Sequence, residues 1–390
     1  MSMFDFSKAV DRSNTGAIKH DFAPEPVKGS GFIPMTIADM EFPAPPAVNE
    51  AVKRAAEHGC YGYTYADKAY LDAVKGWQKS RHAWDIDPEW YVVTNGVVQA
   101  LGIAVRAFTE RGEGVILQSP VYTPFFGAIR DNGRVIVENP LKNNGGRYEM
   151  DFDDLEEKCA QEDVKLMLLC SPHNPIGRVW TMDELSKVAE ICRRNGVTVI
   201  ADEIHNDLVL PGNPHTVFAK IDRENCVVCT AISKTFNLAG LSCSNIFVPN
   251  KELRERFKTE AHTSGCGCVP YVARWATIAA YNEGGEWLDE LISVVDGNFR
   301  FLYEFAEKRL PMLKVARAEG TYLAWIDMRA LGMDHKELSA FMNEKALIAD
   351  NDGEMFGKAS EGFRRWNLAI PRAELEKALL RLEKAINEKK

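Results

Sequence analysis

Short apolar runs rich in β-branched residues recur along the first two-thirds of the chain. WYVVT, GVILQ, VKLMLLC, VTVIAD, NCVVCTAI and SNIFVP alternate with longer stretches whose apolar positions fall at helical spacing, such as TMDELSKVAEICRRNG. Near-continuous apolar strands separated by amphipathic helices predict an α/β fold with a mainly parallel sheet covered by helices on both faces. In that arrangement, ligands sit at the carboxyl ends of the strands. From about Glu286 the pattern changes to long helical segments, the strand-like TYLAWIDM, another helix, FRRWNLAI and a charged terminal helix. This predicts a smaller α+β domain over 286–390 beside a large domain over 46–285. Residues 1–45, rich in Pro and aromatics, read as an arm that packs on other parts of the chain and contributes to the small domain.

A chain of 390 residues has ample material for two cores, and its 46% apolar and 26% charged content is ordinary for a globular protein. The formal charge of -9 would repel a phosphate backbone, which argues against a nucleic-acid partner. The N-terminus has no apolar signal region and no run is long enough to span a membrane, so a cytoplasmic location is expected. Nine cysteines without disulfide-module spacing fit that expectation. Cys226 and Cys229 have CxxC spacing but sit in an apolar strand pattern, away from the helix start that a redox pair needs. With no second pair, no metal site is expected.

The chemistry-bearing residues follow the predicted strands. They are Tyr122 in SPVYTPF, Asn174 in SPHNPIGR, Asp202 in VIADEIH, and Ser233 with Lys234 in AISKTFNLAG. Singly, each has an ordinary structural role, as surface cation, helix cap, turn residue or packed aromatic. Together they offer an amine, an acid and an amide converging on one cleft, the set that a pyridine aldehyde cofactor requires. The Lys amine forms a Schiff base, and the Asp pairs with the pyridinium nitrogen so that the ring can draw in electrons. Asn174 can donate to the ring oxygen and Tyr122 can lie on the ring face. In TNGVVQALGIAVRAF, a glycine turn opens a helix, so the N–H groups of Gly96, Val97 and Val98 can face a phosphate.

The succession of NPxG, Asp202 and SK resembles the class I/II aminotransferase family. More narrowly, FDFSKAVDRSNTGAIKHD, TIADMEFPAPPAV, CYGYT, CSPHNPIGRVW, ADEIH and SKTFNLAGL resemble the MalY/PatB branch of carbon–sulfur β-lyases. The resemblance implies pyridoxal 5'-phosphate (PLP), a seven-stranded large-domain sheet, and a homodimer whose sites draw on both subunits. By motif, Tyr63 would reach the neighbouring subunit's phosphate and Arg365 would hold the substrate α-carboxylate. Arg364 would then be the solvated or structural neighbour, and Ala38 would offer a backbone group near the same carboxylate. His205 stands where transaminases of the family typically carry a Tyr on the ring oxygen. Ser242 stands where they carry an Arg on the phosphate, which shifts that load onto Ser233, Tyr63 and the helix start. KHD in place of KWD and ADE in place of SDE depart mildly from the lyase branch. The implied reaction is α,β-elimination on an amino acid with sulfur at Cβ, such as cystathionine or cysteine. A transaminase using a 2-oxo acid acceptor is the alternative, and a non-catalytic binding or regulatory protein is a third.

Overall fold

In the computed structural model, residues 4–23 and 31–389 are described; residues 1–3 and 24–30 of the expected arm, and residue 390, lie outside them. The large sheet has seven strands: β1 Tyr91–Thr94, β2 Gly114–Leu117, β3 Val135–Glu138, β4 Val164–Cys170, β5 Thr198–Asp202, β6 Cys226–Thr230 and β7 Ser244–Phe247. Their spatial order is β1-β7-β6-β5-β4-β2-β3. All neighbours pair parallel except that β7 runs antiparallel to both β1 and β6.

Alternation along the strands explains why both faces are covered. Leu166, Leu168 and Cys170 of β4 point into one core with Ala100, Leu101 and Ala104 of helix α1 (Val97–Phe108). Met167 and Leu169 point into the other, with Leu185, Val188 and Cys192 of helix α2 (Met182–Arg194). With side chains buried on both faces, the strand is apolar from Leu166 to its end. Helix α2 is started by a reciprocal cap between Thr181 and Glu184. Helix α1 has no side-chain cap: Gly96 precedes it at φ 101°, a backbone conformation that favours glycine.

A second sheet of four strands, β8 Lys314–Val315, β9 Leu323–Asp327, β10 Asn351–Asp352 and β11 Phe363–Asn367, is antiparallel in the order β8-β9-β11-β10. The N-terminal segment crosses back onto it. Ile33 and Pro34 pair with Ile348 and Ala349, Met35 O accepts from Asn367 N, and Glu41 N donates to Ala369 O. Cys226 and Cys229 are both buried in β6, and all nine cysteines are free. Among the described residues no helix is long and apolar enough to cross a membrane.

Candidate active site

The carboxyl ends of β4, β5 and β6, together with the start of α1, surround a cavity of about 220 Å³. Its wall includes Asn174, Asp202, His205, Ser233, Lys234 and Ser242, with Gly96, Val97, Val98, Tyr122 and Ala38. With Arg365, twelve of the thirteen candidate positions named from sequence, all but Tyr63, thus fall around the cavity or its extension. A wider chamber of about 790 Å³ continues from it past Lys234, Tyr122 and Ala38 and is walled by Arg365.

Asp202 closes β5 and is buried, with one carboxyl oxygen accepting from Ile204 N at 3.1 Å. Burial pushes its carboxyl up to about 7, against the pull of that hydrogen bond and of the Lys234 charge. Lys234 lies on the short helical turn Ile232–Thr235 after β6. Burial, then the charge of Arg365, brings its amine down to about 8. A buried acid and a buried amine that both change charge near neutrality are characteristic of a reactive site. His205 is buried at the turn after β5, and its Nδ1 has no hydrogen-bond partner among the described residues. Burial, followed by the charges of Lys234 and Arg365, holds the imidazole neutral.

The Lys234 amine donates to the Ala38 carbonyl at 2.7 Å, and the Tyr322 hydroxyl donates to the same oxygen at 2.8 Å. That carbonyl lies in a segment held from several sides. Asn367 donates to the Ile37 and Asp39 carbonyls, and Asn237 bonds Met40 N and the Met40 and Phe42 carbonyls. Beneath it, the fully enclosed Lys19 amine lies 2.8 Å from Glu41, and Arg12 lies 2.8 Å from Asp39. Tyr322 and Asn351 were not foreseen from sequence. Only the pairing of remote strands reveals them, since neither sits in a local motif.

Arg364 and Arg365 are consecutive on β11 and face opposite ways. Arg365 donates through Nη1 to Asn174 Oδ1 at 3.0 Å and through Nη2 to Asn351 Oδ1 at 2.6 Å, while its Nε is buried without a partner. Among the described residues it has no carboxylate partner, and burial lowers its guanidinium to about 10, so it remains a cation at neutral pH. Arg364 is paired with Asp350 and Asp352 and is almost wholly buried. Of the two alternatives open for it, the structure takes the structural one and excludes the solvated one.

Tyr63 does not join the cavity. It is 94% exposed, projecting from a segment that is pinned at Thr64, whose hydroxyl donates to Val269 O at 2.5 Å. Among the described residues no cluster of His, Cys, Asp and Glu could hold a metal.

The buried acid, the enclosed amine, the orphaned imidazole nitrogen and the uncapped helix start fit a phosphorylated pyridine aldehyde. They supply a partner for a ring nitrogen, a Schiff-base amine, a group for a ring oxygen and free N–H donors for a phosphate.

Comparison with known proteins gives the same direction. The family described as aminotransferase class I and II matches residues 30–382. Cystathionine beta-lyase PatB of Bacillus subtilis is 41% identical over 386 residues, covering 98% of this chain and 100% of that protein. Protein MalY of Escherichia coli is 34% identical, covering 98% and 99% respectively. A solved structure of cystalysin from Treponema denticola, which contains a pyridoxal 5'-phosphate cofactor, superposes with a TM-score of 0.95 at 41% identity over 100% of both chains.

Proposed function

The chain belongs to the class I and II aminotransferase family, and from that premise we propose that it is a PLP-dependent carbon–sulfur β-lyase. Its reaction is the cleavage of L-cystathionine with water to homocysteine, pyruvate and ammonia, with L-cysteine as a further substrate. The full-length likeness to a cystathionine beta-lyase carries this choice of reaction. His205 and Ser242 on the cavity wall accord with it, because transaminases of the family typically carry Tyr and Arg there.

Lys234 would hold the cofactor through its amine, with Asp202 at the ring nitrogen, Asn174 and His205 at the ring oxygen and Tyr122 on the ring face. Ser233 and the N–H groups at Gly96, Val97 and Val98 would hold the phosphate. When bound, PLP supplies an electron sink for the pair left when Cα loses its proton. The Arg365 fork binds the substrate α-carboxylate bidentately, taking the anion that it lacks among the described residues. Once the substrate's own amine has taken its place, the freed Lys234 amine, brought down to about 8 by burial, would accept the Cα proton, and the Ala38 carbonyl would keep that amine in place. Cβ–S cleavage follows. The sulfur departs as a thiolate, a good leaving group because thiols ionise near pH ~8.5.

The functional unit in this proposal is a homodimer, with Tyr63 serving the neighbouring subunit's phosphate. Its near-complete exposure, away from its own cavity, supports that role. The large domain over 46–285 would hold the cofactor, and the small domain over 286–390, with the 1–45 arm, would bring Arg365 and the Ala38 carbonyl to it. Nine free thiols support a cytoplasmic setting.

The test is incubation of purified protein with L-cystathionine, with and without a 2-oxo acid. Pyruvate should form in step with homocysteine and without an acceptor. Product formation that requires the acceptor, with glutamate or alanine accumulating, would put a transaminase in its place.

A further inference from the structure

The wide chamber beyond Lys234 has an apolar middle and a charged rim. Ile37, Phe126, Ile136 and Phe356 line its middle, each at least partly buried. Around the opening stand two cations, Arg130 and Lys358, and two anions, Glu138 and Glu354. These come from separate parts of the chain: the helix Pro124–Arg130, the end of β3, and the segment 353–358. The last is tied to the Tyr122 loop by Thr123 Oγ1 donating to Met355 O at 2.7 Å and Val121 N donating to Phe356 O at 2.9 Å. The rim is thus fixed relative to the ring-facing tyrosine.

The rim charges are not spent on one another. Glu138 accepts from Ser119 through Oε2 at 2.7 Å, and its Oε1 has no partner among the described residues. Among the described residues, Arg130 meets only its neighbour Asp131. Glu354 has a histidine at 3.5 Å, and Lys358 has no ion-pair partner among the described residues. Cysteine, ending at its sulfur, carries no distal group to pair with these charges. A substrate whose sulfur carries an alkyl chain ending in a second ammonium and carboxylate would place methylenes in the apolar middle and both charges at the rim.

We propose, resting on the lyase assignment above, that this chamber is a subsite for the distal zwitterion of a thioether bis-amino acid. Glu138 and Glu354 face the distal ammonium, and Lys358 and Arg130 face the distal carboxylate. The subsite sets preference among sulfur substrates and leaves the bond-breaking groups alone.

The test compares kcat/KM for L-cystathionine with that for S-ethyl-L-cysteine, a thioether without the distal charges. Glu138→Gln and Lys358→Gln should each lower the cystathionine to S-ethylcysteine ratio about five- to tenfold, mainly through KM, as expected for one partly solvated charge-assisted contact. A ratio that stays put in both variants overturns the proposal, as does an equal fall for both substrates. The lyase assignment fails separately, if the unmodified protein releases pyruvate from neither thioether. In that event, dissociation constants for the same two ligands, measured on PLP-loaded Lys234→Ala protein and its double variants, still decide the subsite. Preference for cystathionine that is lost on Glu138→Gln and Lys358→Gln sustains it, and equal binding removes it.

Discussion

The small cavity and the wide chamber meet at Lys234 yet are built by opposite means. Around the cavity the polar groups are buried, come from strand ends and have few alternatives: Asp202, Asn174 and His205 are each at most 3% exposed. Around the chamber's mouth the polar groups are solvated and sit on a short helix, an edge strand and a loop. Burial magnifies electrostatic effects and makes each group hard to replace. Solvation weakens each charge and lets it vary. The contrast teaches that this fold can keep one chemistry while changing which side chain it admits.

The sharpest way to break that contrast is at its shared residue. Lys234→Ala should lower elimination by about 10² to 10⁴ or more, the range of a lost general base, and should abolish borohydride-stable attachment of PLP. Peptide mapping that found the reduced cofactor on another lysine would undo the site. Arg365→Ala should lower kcat/KM by about 10²-fold or more, since a buried charged partner is removed, with Arg365→Lys recovering part of it. Arg364→Ala separates the neighbours. It strands the Asp350 and Asp352 charges in the interior, so its loss should appear as a fall in Tm, from roughly 3–5 kcal/mol of stability, with near-normal kcat in the protein that remains folded. Equal kinetic damage from both arginines would contradict their opposite placement.

A smaller effect sharpens the quaternary side. Mixing inactive Tyr63→Ala and Lys234→Ala subunits should restore up to about a quarter of the parent activity, because random exchange leaves one intact site in half of the dimers. No recovery after exchange is shown by mass spectrometry would end the shared-site proposal. The smallest effect is the pH dependence of the cofactor-free protein. Asp202, pushed up to about 7, binds its proton in the folded state over a range where the unfolded chain has released it. Its contribution to stability therefore falls as pH rises from about 4 to 7. Lys234, brought down to about 8, acts oppositely and relieves its penalty only above that pH. The Tm of apoprotein should decline by a few degrees across the lower window, and Asp202→Asn should flatten the decline.

Much of the large sheet was legible because its strands are buried on both faces and so appear as near-continuous apolar runs; Leu166–Cys170 of β4 and Val199–Ala201 of β5 are clear cases. The orientation of β7 was not legible. SNIFVP has the same texture as a parallel strand, and only its pairing with β1 and β6 shows it reversed. At the site, Asn174, Asp202 and Lys234 were visible because each stands at or within a few residues of a strand's carboxyl end. Tyr322 was hidden inside TYLAWIDM, where an aromatic is indistinguishable from core, and its role depends on an oxygen 284 positions away. The ionic cluster of Arg12, Lys19, Asp39 and Glu41 was hidden likewise, since scattered surface-type residues gave no sign that the Lys19 side chain would be fully enclosed.

The carbonyl that receives the Lys234 amine has a consequence for biosynthesis. Ala38 leaves the ribosome early, whereas Tyr322, which shares its oxygen, and Asn367, which clasps the carbonyls on either side of it, emerge near the end. The large sheet can pair once residue 247 has been made, but the amine's acceptor is fully held only when β11 is complete. In a nascent or C-terminally truncated chain that segment would keep the hold of Asn237 but lack those of Tyr322 and Asn367, so that the acceptor's full set of holds is acquired at the last step of synthesis.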